Sequence, residues 1–237
     1  MNKQGKNGIE WTDRTWNIVT GCLHGCPYCY ANTIAHRFST ASRNLTYVDG
    51  VKPAHIKDPY PWGFMPTFHP ARLDEPKRLK TPSKIFVSSM GDLFGSWVPT
   101  EWVNAVLDTV RECPQHIFQF LTKNPCRYAE FQFPDNCWIG VTVVNEDSME
   151  YDIPAFSYAK NIRFLSLEPL VMDIDKYIGY GDLDWVIIGQ QTGPGAVPVF
   201  DEWAENIIMY AKAYKVPIFV KRPLYERFPI QQWPEVN

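Results

Sequence analysis

Seven short apolar runs, separated by helical patterns, most constrain the fold of this chain. They are rich in β-branched and aromatic residues and nearly continuous in hydrophobicity, which is typical of parallel strands buried on both faces. The runs are Trp16–Thr20, Ile85–Ser89, Ile117–Leu121, Cys137–Val143, Ile162–Leu167, Trp185–Gly189 and Pro217–Lys221. Because strand and helix alternate, we expect an α/β fold, a partial (β/α) barrel of about six or seven mostly parallel strands.

Three of the intervening helices are predicted from apolar spacing or from capping residues. Thr100 and Asp201 are predicted N-caps of helices beginning at Glu101 and Glu202. Two apolar faces are expected at helical spacing. The first is formed by Ala31, Ile34, Ala35 and Phe38, and the second by Trp203, Ile207, Tyr210 and Tyr214.

The length of 237 residues predicts a single domain over residues 1–237. The stretch Thr40–Ser83 interrupts the strand and helix pattern, since it contains seven prolines and no clear period. We expect it to be an insertion, at about residues 40–83, that covers one end of the sheet.

Composition and charge exclude several classes of protein. The formal charge of −3 gives no general attraction to phosphate backbones. The N-terminus lacks the apolar region of a signal peptide, and no run approaches the roughly 18 apolar residues of a membrane span. We therefore expect a cytoplasmic protein without a membrane partner, in which six cysteines are poor candidates for disulfides.

Three cysteines lie within eight positions of the segment GCLHGCPYCYA. Cys22, Cys26 and Cys29 follow the first predicted strand and precede the first predicted helix, at the end of the sheet where such folds place their chemistry. Three thiolates on a four-iron cluster leave one iron open to an exogenous ligand. The alternative is a zinc site with a fourth ligand from His24, His36 or His55, but no second Cys/His pair follows downstream.

Polar residues follow the other apolar runs and predict a pocket above a dry core. They include Ser88, Ser89, Asp92, Thr122, Lys123, Thr142, Ser166, Glu168, Gln190, Gln191, Lys221 and Arg222. A structural network of Asp92, Lys123 and Glu168 is the alternative interpretation for those three residues.

With these motifs in place, the sequence resembles the radical S-adenosylmethionine (radical SAM) superfamily, whose signature Cys-x3-Cys-x-aromatic-Cys matches Cys22, Cys26, Tyr28 and Cys29. More narrowly, it is similar to a phage-associated radical SAM family of largely unassigned function. The blocks that carry this resemblance are IEWTDRTWNIVTGC, IFVSSMGDLFG, FLTKNP, WIGVTV, RFLSLEPL and DWVIIG.

The resemblance implies a [4Fe-4S] cluster on the three cysteines and S-adenosylmethionine at its open iron. One electron, from an external donor of the flavodoxin or ferredoxin type, would cleave the sulfonium bond to give methionine and a 5′-deoxyadenosyl radical. That radical would take a hydrogen atom from the substrate, while the protein positions the reactants and excludes water.

Site roles follow from the chemistry of such a cofactor. Ser89 and Asp92 are candidate acceptors for its ammonium group, and Lys123 is a candidate partner of its carboxylate. Glu168 is a candidate for the ribose hydroxyls or for a substrate group, and Tyr28 for the adenine. Thr142 and Gln191 complete the expected cofactor pocket, and Lys123 and Glu168 are also the candidate catalytic residues. His69 and Arg72, in the insertion, are candidate substrate contacts.

One position departs from the family. Relatives resemble Gly-Gly-Glu-Ser-Gly where this chain has Gly189-Gln190-Gln191-Thr192-Gly193, so Gln191 cannot supply a charge or act as a base. The phage-like resemblance favours a nucleobase or nucleotide substrate, in DNA modification by isomerisation or in lesion repair of the photoproduct-lyase type. A non-catalytic binding module stabilised by its metal is the alternative from another class.

Overall fold

The structure, a computed structural model, describes residues 1–5, 8–39, 59–145, 160–174, 183–193 and 195–235. These residues form two compact units, Met1–Cys137 and Trp138–Asn237. The prediction of one domain over the whole chain stays a prediction.

The first unit contains a parallel ladder of three strands, together with the cysteine segment. Its strands are β1 (Asn2–Lys3), β2 (Arg14–Trp16), β3 (Val19–Thr20), β4 (Thr67–Phe68), β5 (Lys84–Val87) and β6 (Ile117–Thr122), and its helices are α1 (Tyr30–Phe38) and α2 (Thr100–Arg111). β2 pairs in parallel with β5, and β5 with β6. β1 joins β2 antiparallel, and β3 and β4 form a separate antiparallel pair.

The second unit carries a parallel ladder with regular register. Its strands are β7 (Cys137–Thr142, shared with the end of the first unit), β8 (Ile162–Leu167), β9 (Trp185–Ile188) and β10 (Ile218–Val220). β8 pairs with both β7 and β9, and β10 pairs with β9, all in parallel. Helix α3 (Asp201–Ala213) connects β9 to β10. The α/β class and the mostly parallel strands are therefore confirmed, and neither ladder closes on itself among the residues described.

All seven apolar runs contain strand, but the first differs from the prediction. It divides into β2 and β3, because Asn17 and Ile18 leave the ladder and β3 turns to pair with β4. The side chain of Asn17 instead accepts hydrogen bonds from Ser89 Oγ at 3.0 Å and from the Met90 N–H at 3.1 Å. This polar crossing separates the cysteine segment from the main ladder.

The predicted helices are present, but some of the residues predicted at their ends differ from those in the structure. Helices α2 and α3 begin at Thr100 and Asp201 themselves, so the predicted N-caps were wrong by one residue, and neither helix has a side-chain cap. On α1, Ala31 and Ala35 pack against Tyr60 and Met90 as expected. Phe38 and Tyr214 lie at helix ends and are exposed, contrary to their predicted place on the apolar faces.

The predicted insertion falls partly outside the described residues, which resume at residue 59. From there to Ser83 the chain contains β4 and two short 3-10 helices, Pro70–Arg72 and Pro76–Arg78. The carbonyl oxygen of Arg72 accepts a hydrogen bond from Trp16 Nε1 at 2.9 Å, so this segment packs on β2. None of the helices in these described ranges has the length and apolar character needed to cross a bilayer.

Candidate functional site

The cysteine segment is a loop between β3 and α1, held at its base by backbone hydrogen bonds. Gly21 N–H donates to Met90 O at 2.8 Å, and Cys22 N–H donates to Phe64 O at 3.1 Å. Gly21 has φ +84°, and a Cβ there would lie 2.2 Å from Met65 O, so this crossing requires glycine. The loop therefore leaves the sheet at a fixed point.

The three cysteines of this loop are all partly exposed. Cys29 is the N-cap of α1, where its Sγ accepts a hydrogen bond from the Asn32 N–H at 3.4 Å, and the helix dipole favours an anion at that point. Burial raises the pKa of the Cys22 thiol to about 12, although the backbone N–H of His24 opposes the shift. Binding of a metal at Cys22 must therefore displace a proton.

Soft thiol donors in one accessible loop fit an iron–sulfur cluster. Among the described residues, no group of three or more His, Cys, Asp or Glu side chains is close enough to hold a single metal ion. A cluster does not need that convergence, because each thiolate binds a different iron.

Of the three histidines proposed for zinc, His24 directs Nε2 to the Asp92 carboxylate at 2.8 Å. His36 is exposed in the last turn of α1. His55 lies outside the described residues.

Asp92 ties the cysteine loop to the ends of β5 and β6. Its side chain is buried, at 5% exposure, and its carboxylate accepts hydrogen bonds from His24 Nε2, Thr122 Oγ1 and the backbone N–H groups of Phe94 and Lys123, at 2.8 to 3.1 Å. Burial alone would raise the pKa of this carboxyl, but these donors hold it below its ordinary value. They occupy the lone pairs that a cofactor ammonium would need, so the geometry favours a structural role for Asp92 over the predicted cofactor contact.

Lys123 and Tyr28 lie together beside the loop. Lys123 Nζ is 5.9 Å from the centre of the Tyr28 ring, a cation–π distance. Burial, followed by the neighbouring Cys26, raises the pKa of the Tyr28 hydroxyl. Ser89 is partly exposed and donates its hydroxyl to Asn17 Oδ1. The first unit therefore brings Tyr28, Ser89 and Lys123 to the region of the three cysteines.

The second unit holds the remaining predicted residues at the carboxyl ends of its strands. Glu168 pairs with Lys221 across the end of β9, where a Cβ on Gly189 would lie 3.3 Å from both side chains. Thr142 ends β7 opposite Ser166, and both are buried. Gln191 follows β9, and its Oε1 accepts from the Val197 N–H at 3.4 Å. Of the three residues in the alternative structural network, Asp92 accepts a hydrogen bond from the backbone N–H of Lys123 at 3.1 Å, and Glu168 pairs with Lys221.

The two predicted substrate residues differ in their surroundings. His69 is buried at 3% exposure and its Nε2 lies 2.8 Å from Thr20 Oγ1, which favours a structural role. Arg72 is partly exposed and lines a polar cavity.

Sequence reasoning missed the structural roles of Asn17 and His24. A histidine between cysteines and an asparagine after a strand have many uses, and no pattern links them to partners some 70 residues away.

The fold is similar to that of spore photoproduct lyase. One such structure, complexed with a dinucleoside spore photoproduct, has 8% sequence identity and a TM-score of 0.56, with 87% of this chain and 75% of that chain covered. A double mutant with bound AdoMet and the dinucleoside has 9% identity and a TM-score of 0.54, with the same coverage. A single cysteine mutant has 9% identity and a TM-score of 0.55, with 91% of this chain and 79% of that chain covered. At such identities the likeness establishes the fold alone.

No curated protein matches the sequence significantly. A family profile, by contrast, matches residues 6–225, which is nearly the whole chain. The chain therefore belongs to the DUF5131 family, which is described as a family of proteins of unknown function.

Proposed function

We propose that this protein is a radical SAM enzyme that acts on a nucleobase or nucleotide. The observation that carries the proposal is the loop of Cys22, Cys26 and Cys29, fixed between β3 and α1 with its three cysteines partly exposed. These three cysteines would hold a [4Fe-4S] cluster, which would pass one electron from an external flavodoxin or ferredoxin to S-adenosylmethionine, so that the sulfonium bond would break to give methionine and a 5′-deoxyadenosyl radical able to take a hydrogen atom from the substrate.

The residues of this chain bind and orient the reactants. Lys123 is a partner for the cofactor carboxylate, and Ser89 for its ammonium group. Tyr28 provides backbone contact to the adenine, and Glu168, oriented by Lys221, accepts hydrogen bonds from the ribose or from the substrate. Thr142 and Gln191 are further contacts at strand ends. Gln191 is limited to neutral hydrogen bonds.

A nucleobase or nucleotide is favoured because the fold is similar to that of spore photoproduct lyase, which is solved with a dinucleoside photoproduct. Two reactions fit this substrate class, the isomerisation of a base in DNA modification and the reversal of a base lesion. A target base in a duplex would have to leave the stack to reach the loop.

The decisive experiment is anaerobic reconstitution with iron and sulfide. The wild-type chain should bind about four irons and turn brown. With S-adenosylmethionine and a strong reductant it should release 5′-deoxyadenosine. Replacement of Cys22, Cys26 and Cys29 by alanine should abolish all three results, whereas Cys126→Ala, which changes an exposed cysteine outside the loop, should preserve them.

Two outcomes would count against the proposal. Zinc as the only tightly bound metal would favour a metal-stabilised binding module. A cluster whose spectrum does not respond to S-adenosylmethionine would exclude the enzymatic chemistry. The substrate class is tested separately, because deuterium on a nucleoside should appear in 5′-deoxyadenosine, and label arriving only from a peptide or a small metabolite would overturn it.

A further inference from the structure

A polar cavity of about 290 Å³ lies in the first unit, between β2 and the segment that follows residue 58. Its walls include Thr15, Asn17, Thr20, Tyr60, Arg72 and Glu75. None of these residues belongs to the cysteine loop. The volume is close to the lower end, about 300 Å³, of the range for pockets that hold small ligands.

Two cations line the cavity, the guanidinium of Arg72 and the amino group of Met1. Arg72 Nη1 donates to Asn17 O at 2.6 Å, and in the part of the chain that the structure describes no other residue accepts from this guanidinium. Glu75 already accepts from the Met1 amine at 2.6 Å. Burial lowers the pKa of Arg72, but a guanidinium stays charged at neutral pH. The charge of Glu75 acts on Arg72, but among the described residues no carboxylate accepts a hydrogen bond from the remaining N–H groups of this guanidinium.

Hydroxyl groups complete the wall around this cation. Thr15 is buried, and its Oγ1 accepts from Gln4 Nε2 at 3.2 Å, which leaves its own proton available to donate. Tyr60 also lines the cavity. A guanidinium with hydroxyl donors beside it matches the several acceptor oxygens of a phosphate group.

We propose that this cavity binds a small ligand through a phosphate group held by Arg72. Free inorganic phosphate and the phosphate of a nucleotide share this chemistry. The site is separate from the cysteine loop and does not depend on the radical chemistry. Thr20 lines the cavity and directly precedes Gly21 and Cys22, so a bound phosphate would contact the strand that carries the loop.

Calorimetric titration of the full chain, with and without its reconstituted cluster, tests the proposal. Inorganic phosphate, a nucleoside 5′-monophosphate and acetate are the three ligands. Arg72→Met should weaken binding of both phosphates roughly 10- to 100-fold, since a charge-assisted hydrogen bond is lost. Arg78→Met is the matched control, because Arg78 is exposed on the next 3-10 helix and its substitution removes the same charge. It should bind as the wild type does.

Similar affinity for the two phosphates supports a site for the phosphate group alone, and tighter binding of the nucleotide supports a site for a phosphorylated nucleoside. Acetate binding as well as phosphate, unchanged binding by Arg72→Met, or no binding of either phosphate at millimolar concentration overturns the proposal.

A spectroscopic measurement keeps the test valid if Arg72→Met does not fold. In the wild-type chain, phosphate should shift the Nε resonance of Arg72 and leave that of Arg78 in place, and the reverse pattern would overturn the proposal. The chain with all three loop cysteines replaced should still bind phosphate. Failure of the cluster chemistry and failure of this site are therefore distinguishable.

Discussion

At the scale of single residues, Asp92 shows how a charge can serve structure at a site expected to bind a ligand. Its carboxylate accepts hydrogen bonds from His24 in the cysteine loop and from Thr122 and Lys123 at the end of β6. A buried charge without such partners would be costly, so the donors and the carboxylate depend on one another. The residue therefore positions the loop that carries the thiols.

We predict that Asp92→Asn lowers the free energy of unfolding by about 2–4 kcal/mol, because charge-assisted bonds are lost in a buried site. Chemical denaturation measures the change. Asp74→Asn is the control, since Asp74 is exposed and forms a surface pair with Lys77. It should cost at most about 0.5 kcal/mol. A similar small loss for Asp92→Asn would contradict the structural role.

The same carboxylate predicts a dependence on pH. Because the folded pKa of Asp92 is lowered, its contribution is fully present above the unfolded pKa, about 3.9, and is lost as the pH falls through the folded value. Wild-type stability should therefore decline in that acid range more steeply than the stability of Asp92→Asn. Parallel pH profiles for the two chains would show that Asp92 contributes nothing to the decline.

Glu168 and Lys221 form a pair whose side chains are 32% and 18% exposed. We predict that Glu168→Gln weakens binding of S-adenosylmethionine to the reconstituted protein, while stability changes by less than about 1 kcal/mol, because partly exposed pairs contribute little. Lys221→Met should act in the same direction, and the double variant should be no worse than the more severe single variant.

Equilibrium dialysis and thermal unfolding measure the two effects. Glu205→Gln, on the exposed side of α3, is the matched control. If stability falls by several kcal/mol while affinity holds, the pair is structural.

At the scale of elements, the cysteine loop depends on its glycine crossing as much as on its thiols. Gly21 has a positive φ and a Cβ position that overlaps Met65 O. Gly25, in the middle of the loop, also has a positive φ, but a Cβ there would meet nothing within 4 Å. A substitution at Gly25 therefore introduces backbone strain alone, whereas one at Gly21 introduces backbone strain and steric overlap.

We predict that Gly25→Ala costs about 1–2 kcal/mol, the strain of a left-handed alanine. Gly21→Ala should cost more and should also reduce the iron bound on reconstitution, because the loop must move away from Met65. Denaturation curves and iron analysis compare the two variants. Equal losses of stability with full iron content in both would show that the crossing does not fix the loop.

The strands and the cysteine loop were predictable from sequence, because continuous apolar runs and close cysteine spacing are local signals. The partners of Asp92 and His69 were not predictable, since they come from residues distant in the chain. A polar residue after a strand has the same sequence signal whether it faces a ligand or a neighbouring strand. The Glu168–Lys221 pair depends likewise on the register of three strands.

At the scale of the whole molecule, a fold similar to that of spore photoproduct lyase at 8–10% identity says little about the reaction. What the chain adds is its own charge, 23 basic against 26 acidic residues. A chain with a net charge of −3 has no general attraction for nucleic acid, so a nucleotide substrate must be held by local contacts. Arg72 at the polar cavity and Lys123 beside the cysteine loop are two cations near the sites described above.

We therefore predict weak salt dependence for binding of a single-stranded oligonucleotide. Each phosphate contact contributes a slope of about −0.7 in a plot of log affinity against log salt, so one or two contacts give roughly −0.7 to −1.4. Fluorescence anisotropy between about 50 and 200 mM salt measures the slope, a range over which extended basic surfaces lose affinity steeply. Arg72→Met should make the slope shallower by about one contact, and Arg78→Met should leave it unchanged. A slope steeper than about −4 would require an extended basic surface. Because the net charge of the chain is negative, such a surface would have to come from an unequal distribution of charge or from a partner. Binding through one or two local phosphate contacts would then be the wrong description of how the substrate is held.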